Sequence, residues 1–157
     1  MCRRRKILLV ISFALYIILM IWLLFVPRID IPSTNMYWEE LFSNINLIPF
    51  LTIYNLFKSI LTDTNNDAII HSVVNLSGNV VMFIPLGFFI TNSIAKKTFK
   101  KSVLLSLICI IFVELIQLFT LLGCCDVDDL ILNMLGVIIG YKLFITLYKT
   151  KSKSKNT

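Results

Sequence analysis

Four long apolar runs decide what this chain can become. They cover residues 7–26, about 74–91, 103–122 and 130–147. Each reaches the roughly 17–25 residues that a helix needs to cross a bilayer. Hydrocarbon offers no water to an open backbone, so such runs must close their own hydrogen bonds as helices. The chain is also 57% hydrophobic, above the ~45–50% of soluble domains, and its mean hydropathy is +0.85. The expectation is an all-α membrane protein: a four-transmembrane-helix bundle with an amphipathic surface segment in the first outer loop.

The first run follows Arg3, Arg4, Arg5 and Lys6. It exceeds the ~7–15 residues of a signal-peptide core, and no small-x-small cleavage site follows, so it reads as a retained helix. The parts are then residues 1–26 (basic N-terminus and first span), 27–73 (outer loop), 74–148 (a three-helix core) and 149–157 (a Lys-rich tail). That leaves no room for a separate soluble domain. Cys2, Cys109, Cys124 and Cys125 lack the C-x-x-C spacing of a metal site. Cys109 reads as an apolar filler, and the adjacent Cys124 and Cys125 as thiols at a helix end. No lipidation motif accompanies Cys2.

Charge sets the orientation. Thirteen of the fifteen Lys and Arg fall in three clusters: residues 3–6, residues 96–101, and Lys142 with Lys149, Lys151, Lys153 and Lys155. Acids sit elsewhere: Asp30, Glu39, Glu40, Asp63 and Asp67 in the first loop, and Asp126, Asp128 and Asp129 in the last. Basic flanks stay cytoplasmic. Both termini and the middle loop are therefore expected on the cytoplasmic side of the membrane, with the first and last loops outside. The net charge of +6 then reflects orientation and an anionic inner leaflet, not nucleic-acid binding.

Within the first loop, Tyr37 and Trp38 suit a membrane interface. Phe50, Tyr54, Phe57 and Leu61 recur at helical spacing, with Asn55, Lys58 and Ser59 between them. This predicts a short helix lying along the outer surface. The following "LTDTNNDAIIHS" reads as turn and polar loop, with His71, the sole His, solvated.

Polar residues inside the spans are costly and usually face protein or water. Asn75 and Asn79 share a face of the second span, Glu114 and Gln117 a face of the third, Asp129 and Asn133 a face of the fourth. At ~1.5 Å per residue all lie in the outer half of the membrane, so the economical solution makes Asn79, Glu114, Gln117, Asp129 and Asn133 face one another. Asp129, Asn133, Gly136 and Gly140 form one stripe, and Gly136-x-x-x-Gly140 permits close helix approach. Asn75 could equally be a cap. Pro85 should kink the second span and free the Val81 carbonyl. Asp126 and Asp128 read as helix capping plus solvation. Nothing local neutralises Glu114. It is either protonated and hydrogen-bonded to Gln117 or Asn133, or in contact with a cation or water.

Four phrases in order, "NLIPF" (46–50), "GNVVMFIPLGF" (78–88), "VELIQ" (113–117) and "DVDDLILNMLGVIIGY" (126–141), resemble the VanZ-like family of small bacterial membrane proteins. The resemblance implies an association with low-level resistance to teicoplanin-type glycopeptides without altered peptidoglycan precursors. Its family-like polar residues here are Asn46, Asn79, Glu114, Gln117, Asp126, Asp129 and Asn133. Many relatives carry a basic residue before the Asp run; Gly123-Cys124-Cys125 stands there in this chain, which weakens any role needing an Arg–phosphate contact.

Three functions compete. A non-enzymatic envelope factor would bind a lipid-linked cell-wall or teichoic-acid component, or a lipophilic glycopeptide, at the outer leaflet. An intramembrane enzyme would use Glu114 as general acid, with Asp126, Asp129 and Asn133 as oxygen ligands for a cation such as Mg²⁺. No Ser/His pair or nucleophile motif supports it, and no cofactor is expected. A small transporter or flippase would need self-association, since four helices are few.

Overall fold

The computed structural model describes residues 3–25, 37–95 and 97–153. They form, in order, α1 (Arg3–Phe25), α2 (Tyr37–Ser43), β1 (Ile45–Asn46), α3 (Leu51–Thr62), α4 (Asn66–Ser93), α5 (Phe99–Phe119), β2 (Cys125–Asp126) and α6 (Val127–Lys153). Four segments are long and apolar enough to cross a membrane: Ile7–Phe25, Asn66–Ser93, Phe99–Phe119 and Val127–Tyr148. The chain is a multi-pass, all-α membrane protein. Cys2, Asp30 and the end of the Lys-rich tail lie outside the described residues.

The second span starts earlier than its apolar run. Asn65 holds an extended backbone, and its side chain accepts from the Asp67 N–H at 2.9 Å. Asp67, in the first turn, suits the positive end of the helix dipole. Asn and Asp are turn formers because they bond nearby backbone N–H groups, and the same bond makes them N-caps. "TNND" therefore opens α4 instead of extending the loop. His71 is a residue of α4, exposed on its surface. At its other end α5 stops at Phe119, and Leu121 turns left-handed at φ 55°. There the Leu122 N–H bonds the Gln117 carbonyl and the Leu121 N–H that of Leu118, the bond pair of a Schellman ending.

α4 and α6 run side by side in the same direction with their backbones in contact. A Cβ added to Gly136 would lie 2.1 Å from the Val80 carbonyl oxygen, one on Gly140 2.0 Å from that of Ile84, and one on Gly87 2.2 Å from that of Val137. Only glycine permits this seam. Without a hydrophobic drive between helices in lipid, such close van der Waals contact supplies association. Phe83, Leu86, Ile90, Ile110 and Val137 fill the core beside it. α5 packs antiparallel to both, placing the fully buried Ser102 and Ser106 on its inner face.

α4 continues through Pro85 as one helix. The Tyr16 hydroxyl of α1 donates to the Met82 carbonyl at 3.0 Å, one position beyond the Val81 carbonyl that lacks its usual N–H partner. Phe13 and Tyr16 stack around Phe89 at 5.2 and 6.0 Å. Elsewhere α1 touches α4 sparingly.

The bundle has two unlike ends. At the basic end the Lys97 ammonium donates to the Asn92 carbonyl at 3.0 Å, satisfying the end of α4, and lies 4.8 Å from the Phe144 ring. At the other, the cap end, α2, β1 and α3 lie across the helix ends. α3 is the surface helix read from the sequence, extending over Leu51–Thr62. Phe50, Tyr54, Phe57 and Leu61 all face away from the protein, the side from which lipid would meet it.

Candidate functional site

Under the cap, "NLIPF" and "DVDD" meet. β1 and β2 pair in parallel, Ile45 opposite Cys125 and Asn46 opposite Asp126. This brings side chains 80 residues apart into one cluster. Asp126 Oδ2 accepts from Thr52 Oγ1 at 2.6 Å and from Asn46 Nδ2 at 3.2 Å, while its Oδ1 accepts from the Asp128 N–H at 2.8 Å. Asn46 Nδ2 also reaches Thr52 Oγ1 at 2.9 Å. Asp126 is therefore the N-cap of α6, as its sequence position predicts.

Asp128 does something its sequence position conceals. Its Oδ1 accepts from the Phe50 N–H at 2.5 Å and its Oδ2 from the Ile53 N–H at 3.0 Å. Phe50 is left-handed at φ 65° and makes no cap of its own. A carboxylate from α6 thus caps α3 across the fold and anchors a costly backbone conformation. The solvated reading of Asp126 and Asp128 is corrected here: they are 7% and 0% exposed. The carboxylates stay buried because backbone and side-chain donors replace water.

Below the cap two pairs cross the helix interfaces. Asn79 of α4 donates to Asp129 of α6 at 2.5 Å, and Asn133 of α6 donates to Glu114 of α5 at 3.1 Å. Glu114, Gln117 and Asn133 are all buried. Three spans thus contribute to one polar column, and Asn133 Oδ1 finds no donor among the described residues. The column lies beside the glycine seam, since Asp129, Asn133, Gly136 and Gly140 occupy one face of α6.

Not every candidate joins it. Asn75 sits in a groove between α4 and α1, not at a helix interface with α5 or α6. Asn46 belongs to the clip above, the cluster in which Asp126 and Asp128 tie β1 and α3 to the start of α6. Asp126 and Asp129 turn to different partners, Thr52 with Asn46 and Asn79 respectively. No group of three His, Cys, Asp or Glu among the described residues could hold a metal ion. Cys109, Cys124 and Cys125 form no disulfide among the described residues. Burial, then Glu114 and Asp126, pushes the Cys125 thiol up. A small apolar cleft of about 140 Å³ opens beside Glu114, Leu115 and Asp126. Thr52 was missed by sequence reasoning; a lone Thr in an amphipathic helix carries no signal of a partner 74 residues away.

Known proteins were compared with this geometry in view. The VanZ/LLP1 family profile matches residues 13–148, which include most of the first span, the other three spans and the whole polar column. The chain belongs to the VanZ/LLP1 family. Protein VanZ of Enterococcus faecium is 29% identical over 132 residues, covering 83% of this chain and 70% of that one. No solved structure matches. The match reaches from α1 to the end of the last span, so it takes in the clip as well as the column.

Proposed function

We propose that this VanZ/LLP1 protein is a cell-envelope factor that raises tolerance to teicoplanin-type glycopeptides or to lipopeptides without catalysing a reaction. It acts at the outer leaflet of a bacterial membrane, with both termini cytoplasmic and the cap end outward. The observation that carries this reading is the family match over a bundle whose polar groups gather at one end. Lys97, Lys100, Lys101 and Lys142 lie toward the other end, as an inside-positive orientation requires. The apolar face of α3 would rest in the outer interface and hold the clip at headgroup depth. The polar column beneath it would meet a lipid-linked envelope component or the drug itself.

The test is deletion and overexpression of the gene, read against a panel of glycopeptides and lipopeptides. The expected result is greater tolerance on overexpression and greater sensitivity on deletion, confined to drugs that act at the outer leaflet. An unchanged panel would remove the reading. The cleft beside Glu114 supports a second reading, an intramembrane enzyme with Glu114 as general acid on a lipid-linked substrate. Turnover of such a substrate by purified protein, lost in Glu114→Gln, would favour it over the first.

A further inference from the structure

The opposite face of α4 carries a second site. Between α1 and α4 lies a groove of about 480 Å³, within the roughly 300–1,000 Å³ range of ligand sites. Apart from the Tyr16 hydroxyl, which is spent on the Met82 carbonyl, its polar side chains lie in the half toward the cap, where His71, Asn75 and Asn79 follow one another down α4 beside Val74, Leu23 and Leu24. Toward the basic end the lining is aliphatic, with Leu19 and Val81 among it, and it closes on Tyr16, Met82 and Pro85. The Tyr16–Met82 hydrogen bond joins the two helices there. From His71 to Pro85 the groove extends about 21 Å at ~1.5 Å per residue, enough for one leaflet of a ~30 Å hydrocarbon core plus the start of its headgroup layer.

Two observations point to an occupant. Gly78 sits at its middle, and apart from its own helix backbone no atom of the described residues lies within 4 Å of the place its Cβ would take. The glycines of the α6 seam are required by a neighbouring backbone; Gly78 keeps space open. Neither Asn75 nor His71 has a side-chain hydrogen bond among the described residues. An amide inside a span with no partner among the described residues calls for a polar ligand group or water. Asn79, whose amide is held by Asp129, makes the groove continuous with the polar column.

We propose that the groove holds one acyl chain of a bilayer phospholipid, with its ester and headgroup region hydrogen-bonded by His71 and Asn75. The polarity gradient matches an amphiphile lying along the membrane normal. The chain methyls lie against Leu19, Val81 and Met82, and the headgroup stays at the cap end. A partner helix would not match this gradient, because its side chains would meet unpaired polar groups at one end only. The inference does not rest on the resistance reading, and binding is read on purified protein without antibiotic.

The full-length protein is reconstituted in phosphatidylglycerol vesicles doped with a phosphatidylglycerol analogue carrying a diazirine near the end of one acyl chain. It is then extracted into detergent, washed and irradiated, so that only a held lipid labels it. Mass spectrometry is expected to place the adduct on Leu19, Val81 or Met82 and not on Leu104 or Ile108 of the exposed α5 face. Gly78→Phe should abolish the adduct while Gly78→Ala keeps it, with thermal unfolding showing both variants folded. Overturning results are an adduct that survives Gly78→Phe, equal labelling of Leu104 and Ile108, no adduct after washing, or cross-linking across the groove to a second copy of the chain.

Discussion

α4 meets α6 on one side and α1 on another. Toward α6, Gly87, Gly136 and Gly140 bring backbone against backbone, and the Asn79–Asp129 bond closes the polar end of the contact. Toward α1, among the described residues, one hydrogen bond and a small aromatic group near the basic end join the helices, Met20 and Leu24 of α1 are buried, and a groove remains between the two helices. The same helix thus carries glycines with opposite purposes. At the seam, glycine allows two backbones to approach; in the groove, Gly78 preserves space. The difference teaches that a small residue in a span has no fixed meaning until its neighbour is known.

The comparison can be broken by one substitution made twice. Gly140→Ala would set a Cβ 2.0 Å from the Ile84 carbonyl oxygen, forcing α4 and α6 apart. It should cost about 3 kcal/mol, the upper end of overpacking penalties, read as a large loss of thermal stability in detergent. Asp128→Ala comes next. It strips two backbone N–H groups of α3 of their acceptor and should cost about 2 kcal/mol, with hydrogen exchange rising first at Phe50 and Ile53. Tyr16→Phe removes only the α1 tie to Met82, a loss of about 1 kcal/mol. It should loosen α1 while leaving the α4–α6 seam protected from exchange. Gly78→Ala is the smallest and has the opposite sign. With open space around it, alanine should stabilise α4 by about 0.5–1 kcal/mol through its better helix propensity. If Gly78→Ala and Gly140→Ala lower stability equally, the contrast between the two faces is wrong.

The spans and their polar stripes were legible in the sequence because each rests on local periodicity. Apolar length identifies a crossing helix, and i, i+4 spacing places Asp129, Asn133, Gly136 and Gly140 on one face whatever surrounds it. The expectation that Asn79, Glu114, Gln117, Asp129 and Asn133 face one another followed from depth alone, since polar groups at one depth in lipid have few other partners; the individual pairings did not follow from it. The clip was not legible. Asp128 caps a helix begun 77 residues earlier in the chain, and a cap in trans leaves no local spacing to read. The start of α4 was missed for a related reason: Asn65 and Asp67 have the same chemistry in a turn as in an N-cap, and only the chain's direction after them decides. The groove was invisible because Asn75 and Gly78 become a site only when α1 lies alongside.

The polar column is the centre of the functional account, and glycopeptide tolerance in a deletion strain tests it most directly. The strain is complemented with wild type, Glu114→Gln or Asp129→Asn at equal membrane abundance, and teicoplanin sensitivity is measured. Both substitutions keep the side chain's size and a hydrogen-bonding amide, so the bundle should still assemble. The account predicts that wild type restores tolerance and that each variant leaves the strain as sensitive as the deletion. Full tolerance from both variants would contradict it and move the working part of the protein away from the column.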